Sequence, residues 1–344
     1  QHVLAGLQVE EVPVGSGCIA QVHRGTLQRG GEEVQVAVKV LHPAVAAMVD
    51  ADLAVMRAGA WALELVPHVR WLSLRESVEE FASLMTLQMD LRIEAANLDR
   101  FRVNFRESPD VNFPQPIRPL VSREVLVETL MPGAALGEWV ATAKGSAEGR
   151  EHMRRVARIG VDAFLKMCFQ DNLVHGDLHP GNMLVSFPSD RQGPVLTLLD
   201  AGITTELAPR DQNNFIALFT AIVKGDGEGA GALMVDNARE ERCVDRQGFK
   251  KTIGRLVDEA LGAKLRLANV QAGLLLARAF AAALQYQVKI ESNFASICIA
   301  IMVLEGVGRE LDPSLDILNL AAAVLVKDAA RQAARHWLAR PASA

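Results

Sequence analysis

Residues 174–185, VHGDLHPGNMLV, place two histidines, an aspartate and an asparagine in one short polar segment between apolar flanks. Asp177 and Asn182 are five residues apart, and Asp200 follows in LLDAG after a predicted turn. Oxygen atoms of carboxylates and amides suit Mg²⁺, and a further carboxylate can orient or deprotonate a hydroxyl. We therefore assign Asn182 and Asp200 to metal binding, and Asp177 to orienting or deprotonating the nucleophile. These three side chains are the set that phosphoryl transfer needs.

The two histidines of this segment have different predicted roles. We expect His175 to support the loop through hydrogen bonds, whereas His179, two residues after Asp177, can reach the terminal phosphate of a nucleotide. A zinc site is the weaker alternative because no third soft ligand lies close by in the sequence.

A glycine-containing turn lies near the start of the chain. Gly15, Ser16 and Gly17 belong to VGSGCIAQVH, between two predicted strands, where glycine lets backbone N–H groups approach phosphate oxygens. Taken alone, a plain hairpin is the commoner explanation of such glycines. A dinucleotide fingerprint fits worse, because a strand and not a helix follows.

Lys39 ends the apolar segment VAVK on the third predicted strand. An ammonium there needs a phosphate or a carboxylate as partner, although a lysine that merely extends from an edge strand to water is the simpler alternative. Residues 88–105, QMDLRIEAANLDRFRVNF, predict an amphipathic helix with three acids, whose charged face is usually solvated. We choose Glu94 of this helix as the partner of Lys39.

The elements that must position these residues follow from periodicity. Alternating β-branched residues predict three antiparallel strands over 9–41, helical character dominates 43–106, and a strand pair is expected at 113–120 and 123–130. MPGAALGEW then indicates a connector. Apolar residues at spacings of three and four predict an amphipathic helix that leads into the histidine-containing segment. The residues of its apolar face are Val156, Ile159, Ala163, Phe164 and Met167.

The later part of the chain is predicted to be mostly helical. NMLVSF and VLTLLDAG indicate a short hairpin, and helices are expected beyond about residue 205, with a loop at 225–231, GDGEGAG. At the C-terminus, 329–340 predicts an amphipathic helix that packs on the larger lobe or, as an alternative, contacts a membrane surface.

Composition excludes several classes of protein. The 344 residues are 50% hydrophobic and 22% charged, with a formal net charge of −5 and a pI near 6.0, so we expect a globular protein without a nucleic-acid partner. Four dispersed cysteines predict free thiols, not a zinc site or a disulfide framework. The apolar run 293–304 has only 12 residues, so we predict no transmembrane span.

Five motifs together resemble the UbiB family, also called aarF-domain-containing or ABC1-type atypical kinases. They are GSGCIAQV, VAVKVLHP followed by ADL, QMDLRIEAANLDRF, VHGDLHPGN and LLDAG, in the order expected of that family. The resemblance covers residues 9–225 and is closest to the aarF-type kinase 2-like members.

The resemblance implies an α+β, two-lobed protein-kinase-like fold. The small N-terminal lobe, residues 1–135, would carry an antiparallel sheet with family-specific helices, and the larger lobe, 136–344, would be mostly helical. Such a protein would bind ATP with Mg²⁺ and support coenzyme Q or related prenyl-lipid metabolism in bacteria, mitochondria or plastids, with lipid or quinone-pathway molecules or a membrane surface as partners.

Positions of the family motifs carry over to individual residues. Lys39, Glu94 and Asp177 match the phosphate-binding lysine, the helix glutamate and the catalytic aspartate, while Asn182 and Asp200 match the metal ligands. The remaining residues that we assign to the nucleotide are Gly15, Ser16, Gly17, Val22, Glu128 and His179.

Four departures from the family pattern affect the functional prediction. The nucleotide loop keeps two glycines where the family is commonly alanine-rich, DFG has become DAG with Ala201, and Gln88 replaces the first acid of ExD. The KxGQ extension expected upstream is absent from these 344 residues. A regulatory nucleotide-binding module with little turnover therefore stays open as an alternative to an active kinase or ATPase. A phosphotransferase of the aminoglycoside or choline type stays open as well, because it shares HGDxxxxN.

Overall fold

A computed structural model describes residues 6–65, 74–238, 240–241, 243–264 and 271–326. The chain forms two compact units. Unit 1 contains the residues up to 132 together with 197–203, and unit 2 contains 133–196 and the chain from 204 onward. The range 136–344 predicted for the larger lobe includes the DAG segment, whose contacts group it with unit 1.

Unit 1 is built on a five-stranded antiparallel sheet with the strand order β1-β2-β3-β6-β5. The three strands predicted over 9–41 and the later strand pair are confirmed. The strands of the sheet are β1 (Leu7–Ser16), β2 (Ala20–Arg29), β3 (Glu32–Leu41), β5 (Pro116–Val121) and β6 (Val125–Thr129); a short β4 (Val111–Asn112) precedes β5.

The two faces of this sheet have different chemistry because side chains alternate along a strand. Val36, Val38 and Val127 lie on one face, in an apolar core cluster with residues of β2 and β5. Ala37 and Lys39 point to the opposite face, where Glu128 is the register partner of Ala37. The alternation in VQVAVKVL therefore fixes which face carries the polar residues.

Three helices replace the single helical region predicted over 43–106. They are α1 (Val45–Leu63), α2 (Leu74–Gln88) and α3 (Leu91–Asn104). Asp90 begins α3, since its carboxylate accepts a hydrogen bond of 3.1 Å from the backbone N–H of Arg92. This N-cap fixes where the first turn of α3, which contains Glu94, starts.

Unit 2 is mainly helical and includes several short strands. Its strands are β7 (Ala134–Ala135), β8 (Val174–His175), β9 (Met183–Ser186), β10 (Val195–Leu198, which continues into unit 1), β11 (Thr204–Thr205), β12 (Glu240–Glu241) and β13 (Val288–Lys289). Its helices are α4 (Leu136–Ala143), α5 (Ala147–Lys166), α6 (Pro209–Lys224), α7 (Gly227–Asp236), α8 (Arg246–Lys264), α9 (Ala272–Gln285) and α10 (Ser292–Leu311).

The predicted amphipathic helix is α5, and all five residues of the predicted apolar face are buried; the last of them, Met167, begins the π-helical turn that follows α5. β9 and β10 are neighbouring strands, which confirms the predicted hairpin. The predicted connector MPGAALGEW contains the boundary between the two units, which falls between Pro132 and Gly133. The same segment also contains β7 and the start of α4, a strand and a helix too short for periodicity to detect.

The predicted loop at 225–231 was wrong beyond its first two residues. Gly225 ends α6 in the left-handed conformation and Asp226 caps α7, which begins at Gly227. A Cβ on Gly227 would lie 2.7 Å from the Cα of Gly254 in α8. The glycines of α7 therefore permit close contact between two helices, a use that composition cannot distinguish from a loop.

Among the described residues, no helix combines the length and apolarity that crossing a membrane requires. The predicted amphipathic helix at 329–340 lies outside the described part of the chain.

Candidate functional site

Lys39 is the centre of a charged cluster in unit 1. Its Nζ lies 2.9 and 2.8 Å from the two carboxylate oxygens of Glu94. It also lies 3.0 Å from Oδ2 of Asp200. The predicted ion pair between β3 and α3 is therefore present, and Asp200, which we assigned to the metal, is a second carboxylate on the same ammonium.

Burial sets the protonation of this cluster. Burial alone would lower the pKa of Lys39, but the charges of Glu94 and Asp200 outweigh it and raise that pKa above its ordinary value. Burial raises the pKa of Glu94 to about 7, although Lys39 opposes the shift. The Asp200 side chain is 43% exposed, whereas that of Glu94 is only 4% exposed. The ammonium therefore stays charged, and the accessible carboxylate is Asp200.

The DAG segment is held by α3 as well as by Lys39. Nδ2 of Asn97 donates a hydrogen bond of 2.9 Å to the carbonyl oxygen of Ala201, and both residues are buried. Glu94 and Asn97 are three residues apart and lie on one helix face. We did not predict a role for Asn97, and its spacing from Glu94 in EAAN is the signal that identifies it.

Asp200 has an uncommon backbone conformation, with φ of 51°. This left-handed region costs a non-glycine residue roughly 1–2 kcal/mol, and such outliers persist where the surroundings enforce them. The backbone N–H of Gly202 donates a 3.3 Å hydrogen bond to Oδ1 of Asp200, which fixes the carboxylate locally. The left-handed backbone of Asp200 is thus tied to the position of its carboxylate in the site.

The glycine-containing turn joins β1 and β2. The backbone N–H of Gly17 donates to the carbonyl oxygen of Ala20 at 2.9 Å, and Nε2 of His42 donates to the carbonyl oxygen of Gly17 at 2.9 Å. Neither Gly15 nor Gly17 has a positive φ, and a Cβ at either position would meet no atom closer than 3.8 Å. The fold of unit 1 does not itself require glycine at these positions.

A second group of predicted residues lies in unit 2. Asn182 ends a short 3₁₀ turn, and its Nδ2 donates to the carbonyl oxygen of Asp177 at 3.1 Å and to Oδ2 of the same residue at 3.3 Å. The five-residue spacing therefore brings the two side chains together. Because the amide nitrogen is used in these bonds, Oδ1 is the atom of Asn182 suited to a cation.

The histidines flank Asp177 differently. His175 is fully buried, and its Nδ1 accepts a 3.2 Å hydrogen bond from the backbone N–H of Asp177, which is the supporting role that we predicted. Nδ1 of the half-exposed His179 accepts a 3.0 Å bond from Gly181 N–H, so the neutral ring carries its proton on Nε2. That nitrogen lies 3.7 Å from Oδ2 of Asp177. The phosphate-binding role of His179 stays a prediction.

Asn172 is a positioning residue that sequence reasoning missed. It follows a π-helical turn at Met167–Asp171 and has a left-handed φ of 49°. Its Nδ2 donates to Leu207 O at 2.8 Å, and Leu207 N donates to its Oδ1 at 3.1 Å. These bonds continue the pairing of β8 with β11. An asparagine directly after an amphipathic helix is a left-handed cap signal that would have found it.

The predicted residues thus form two groups. Unit 1 brings Lys39, Glu94 and Asp200 together. Val22 on β2 is the register partner of Lys39, and Glu128 on β6 is the register partner of Ala37, two residues before Lys39. Unit 2 brings together Asp177, Asn182 and the two histidines. The joint use of both groups in one reaction is a proposal.

Comparisons with known proteins identify the family of this chain. Residues 7–234 match the ABC1 atypical kinase-like domain, and residues 254–316 match the UbiB helical domain. A probable serine/threonine-protein kinase of Dictyostelium discoideum is 33% identical over 93% of this chain and 54% of its own length. A mitochondrial ABC1 family protein of Saccharomyces cerevisiae is 34% identical over 92% of this chain and 57% of its own.

A bacterial relative and a solved structure extend the comparison. The probable protein kinase UbiB of Sodalis glossinidius is 30% identical over 91% of this chain and 56% of its own length. A Mycobacterium tuberculosis protein, solved as a complex with erythromycin, has a TM-score of 0.52 and 17% identity over 89% of this chain and 78% of that one. The chain spans about half the length of the curated relatives it matches.

The fold and the Lys39 cluster define an α+β protein of the kinase-like class. Within that class, the chain belongs to the ABC1/UbiB atypical kinase family.

Proposed function

We propose that this protein is an atypical kinase or ATPase that binds ATP with Mg²⁺ and acts on a small or lipid-like molecule. The observation that carries the proposal is the pair of contacts made by Lys39, at 2.8 Å to Glu94 and 3.0 Å to Asp200. A buried lysine held by one helix carboxylate beside an accessible second carboxylate is the arrangement that protein kinases use to position nucleotide phosphates.

Each residue has a role in the proposed reaction. Lys39 contacts the phosphates, and the turn at 15–17, whose glycines let the backbone come close, approaches them from β1 and β2. Asp177 orients the attacking hydroxyl. Asn182 and Asp200 supply the amide and carboxylate oxygens that suit Mg²⁺, which when bound neutralises phosphate charge.

Two observations on the glycine turn favour nucleotide binding over a plain hairpin. The backbone at Gly15 and Gly17 has no positive φ, and a Cβ at either position would meet no atom closer than 3.8 Å. Glycine at both positions is therefore unexplained by the fold of unit 1, whereas close approach of a phosphate explains it.

The biological setting of the proposal comes from relatives. A mitochondrial label on yeast ABC1 family proteins and the name of the UbiB relative support a role in coenzyme Q or related prenyl-lipid metabolism, with mitochondria as the compartment. Lipid or quinone-pathway molecules and the membrane surface are the proposed partners. Co-sedimentation with liposomes, with and without residues 329–344, tests the membrane contact.

A regulatory nucleotide-binding module is the second candidate. It is favoured by the departures in the loop motifs, because binding needs fewer intact parts than turnover. An aminoglycoside- or choline-type phosphotransferase is less well supported, since residues 254–316 match the UbiB helical domain. Phosphorylation of choline or of an aminoglycoside panel would reverse that ranking.

The deciding experiment measures Mg²⁺-ATP binding and ADP release by the purified protein and two variants. We expect Asp200→Asn to slow ADP release at least about tenfold, because it removes charge from the proposed metal site. Asp99→Asn is the matched control, since Asp99 is on α3 but pairs with Arg118 at the surface, 2.9 Å away. Tight nucleotide binding with equally slow ADP release from all three proteins would contradict the catalytic proposal and favour the regulatory module.

A further inference from the structure

Helix α1 has a second apolar face in addition to the one that it buries. Its buried residues include Leu53 and Ala60. On the opposite side of the helix, six apolar residues follow one another at alternating spacings of three and four, and we call them the outer stripe. They are Met48, Ala51, Val55, Ala58, Ala62 and, just beyond the end of the helix, Leu65. These are the spacings of the a and d positions of a coiled coil, with Leu53 and Ala60 at the f positions.

All six residues of the outer stripe are exposed, and the larger ones strongly so. Met48, Val55 and Leu65 are 65%, 73% and 66% exposed. A Cβ on Gly59, beside the stripe, would meet no described atom within 4 Å. A surface helix of a globular protein normally carries charged and polar residues on the side away from the core. The outer stripe therefore has the composition of a contact face and not of a solvated one.

The area on this side of α1 is sufficient for an interface. A helix of 19 residues is about 28 Å long and about 11 Å across, so half of its surface amounts to roughly 500 Å². An exposed apolar patch of this size usually marks an interaction site. Two such surfaces bury roughly 1,000 Å² together, which is the lower limit for a specific protein interface.

The order of side-chain sizes makes the outer stripe complementary to itself in the antiparallel orientation. In an antiparallel pair of helices, a positions lie opposite the d positions of the partner helix. A two-fold axis then places Met48 opposite Leu65 of the second copy, Ala51 opposite Ala62, and Val55 opposite Ala58. The large side chains meet at the two ends, and the alanines between them permit a short distance between the helix axes.

The residues beside the stripe agree with this pairing. The flanking e and g positions from 47 to 61 hold Ala47, Asp52, Ala54, Gly59 and Trp61. In the antiparallel pair, Asp52 lies opposite Gly59 and Trp61 lies opposite Ala54. No like charges face each other, and the indole of Trp61, which is 58% exposed, covers apolar surface of the second copy. Arg57 is at a c position, away from the stripe, and pairs with α2.

We propose that the outer stripe is the interface of a symmetric dimer, in which two copies of this chain pair their α1 helices antiparallel. Because α1 already packs on α2, pairing does not require an isolated helix to be ordered. The modest area predicts a reversible dimer with a micromolar dissociation constant. This surface has no part in the proposed nucleotide binding, so the inference does not depend on it.

The test is sedimentation equilibrium of the full 344-residue chain over a micromolar range of concentrations. We expect the wild-type protein to dimerise and Val55→Glu to raise the dissociation constant at least about tenfold, because a carboxylate would be buried between apolar stripes. Val103→Glu is the matched control. Val103 is a 63% exposed valine on α3, so the same substitution there should leave the dissociation constant unchanged. Circular dichroism should show that both variants are folded, since neither residue is buried.

A second substitution tests the orientation of the helices. In an antiparallel pair, adding Ala58→Lys to Val55→Glu places an ammonium opposite each new carboxylate, so we expect dimerisation to recover to within a few fold of the wild type. In a parallel pair, each new charge would face its own copy. Further dissociation of the double variant would therefore overturn the antiparallel arrangement.

Two other results would overturn the proposal as a whole. If the wild-type chain is monomeric throughout this range, the outer stripe does not bind a second copy. Binding of that monomer to liposomes, lost in Val55→Glu, would assign the stripe to a membrane surface, and its absence would leave a helix of another protein as the occupant. A dimer that Val55→Glu leaves intact would show that another surface forms the contact. None of these results bears on nucleotide binding, which the ADP-release experiment tests separately.

Discussion

Asn97 on α3 donates a 2.9 Å hydrogen bond to the carbonyl oxygen of Ala201, a residue 104 positions further along the chain. The same helix face presents Glu94 to Lys39. One helix therefore sets the position of the strand lysine and of the DAG segment together. α3 is therefore the element that anchors both the ammonium of Lys39 and the segment that carries Asp200.

Replacing Asn97 with alanine should weaken both stability and turnover. The Ala201 carbonyl would be buried without a donor, which costs about 1–3 kcal/mol of unfolding free energy. The backbone next to Asp200 would also lose the hydrogen bond that holds it to α3. We therefore expect the rate of ADP release to fall by more than the loss of folded protein explains. Urea denaturation and an ADP-release assay on the same preparation measure the two effects.

Asn104→Ala is the matched control, because Asn104 is the last residue of the same helix and is only partly buried. We expect a change of less than about 0.5 kcal/mol there. If Asn97→Ala behaves like this control, the hydrogen bond to Ala201 does not position the DAG segment.

The glycine turn provides a second prediction, in which substitutions change nucleotide binding but not stability. Gly15→Ala and Gly17→Ala should leave the melting temperature nearly unchanged, since an added Cβ has no close neighbour. Both should weaken nucleotide binding, because the methyl group occupies space that the phosphates need. Gly25→Ala is the contrasting variant: its Cβ would lie 2.7 Å from Gln8 O, so we expect it to destabilise unit 1.

Thermal unfolding and titration with a fluorescent ATP analogue distinguish these cases. Unchanged nucleotide affinity in both Gly15→Ala and Gly17→Ala would show that the turn is a plain hairpin, the alternative that the sequence left open.

The site was predictable where one residue type could satisfy one physical requirement. A lysine at the end of an apolar strand needs a carboxylate, and only a few acids on the following helix were candidates, so Glu94 could be chosen. Asn97 and Asn172 could not be found in the same way. Their amides bind backbone carbonyls 104 and 35 residues away, and such partners depend on tertiary structure that carries no local pattern.

The fold was predictable where periodicity extends over many residues, as in β1 to β3 and α5. The prediction of a loop at 225–231 was wrong because glycine occurs both in flexible loops and where two helices come into close contact. Its sequence has no periodic signal that separates the two, whereas the structure shows Gly227 facing Gly254.

The pH dependence of stability tests the electrostatics of the cluster. The pKa values of Glu94 and Glu128 are raised from 4.5 to about 7 and about 8 by burial. Between about 4.5 and its raised pKa, each group keeps a proton in the folded protein that the unfolded chain releases. Stability should therefore fall as the pH rises through that range, to about 7 for Glu94 and about 8 for Glu128, by up to about 1.4 kcal/mol per pH unit for each group. Denaturation curves at several pH values measure the slope.

Glu128→Gln should flatten this dependence and make the protein more stable than the wild type at pH 8, with little difference at pH 4.5. Glu124→Gln should leave the slope unchanged, because that side chain is exposed. Parallel wild-type and Glu128→Gln curves would mean that Glu128 stays ionised in the folded protein.

The contact between α7 and α8 gives a prediction for unit 2. Gly227→Ala should destabilise the protein, since the new Cβ would lie 2.7 Å from the Cα of Gly254 and 2.8 Å from Cβ of Val257. Both neighbours are rigid, so the helices must separate, at a typical cost of about 1–3 kcal/mol. Gly262→Ala, in an open position of α8, should instead stabilise by about 0.5–1 kcal/mol through helix propensity. In urea denaturation we expect the free energy of unfolding to fall for Gly227→Ala and to rise for Gly262→Ala. A stabilising effect of Gly227→Ala would show that α7 does not pack closely on α8.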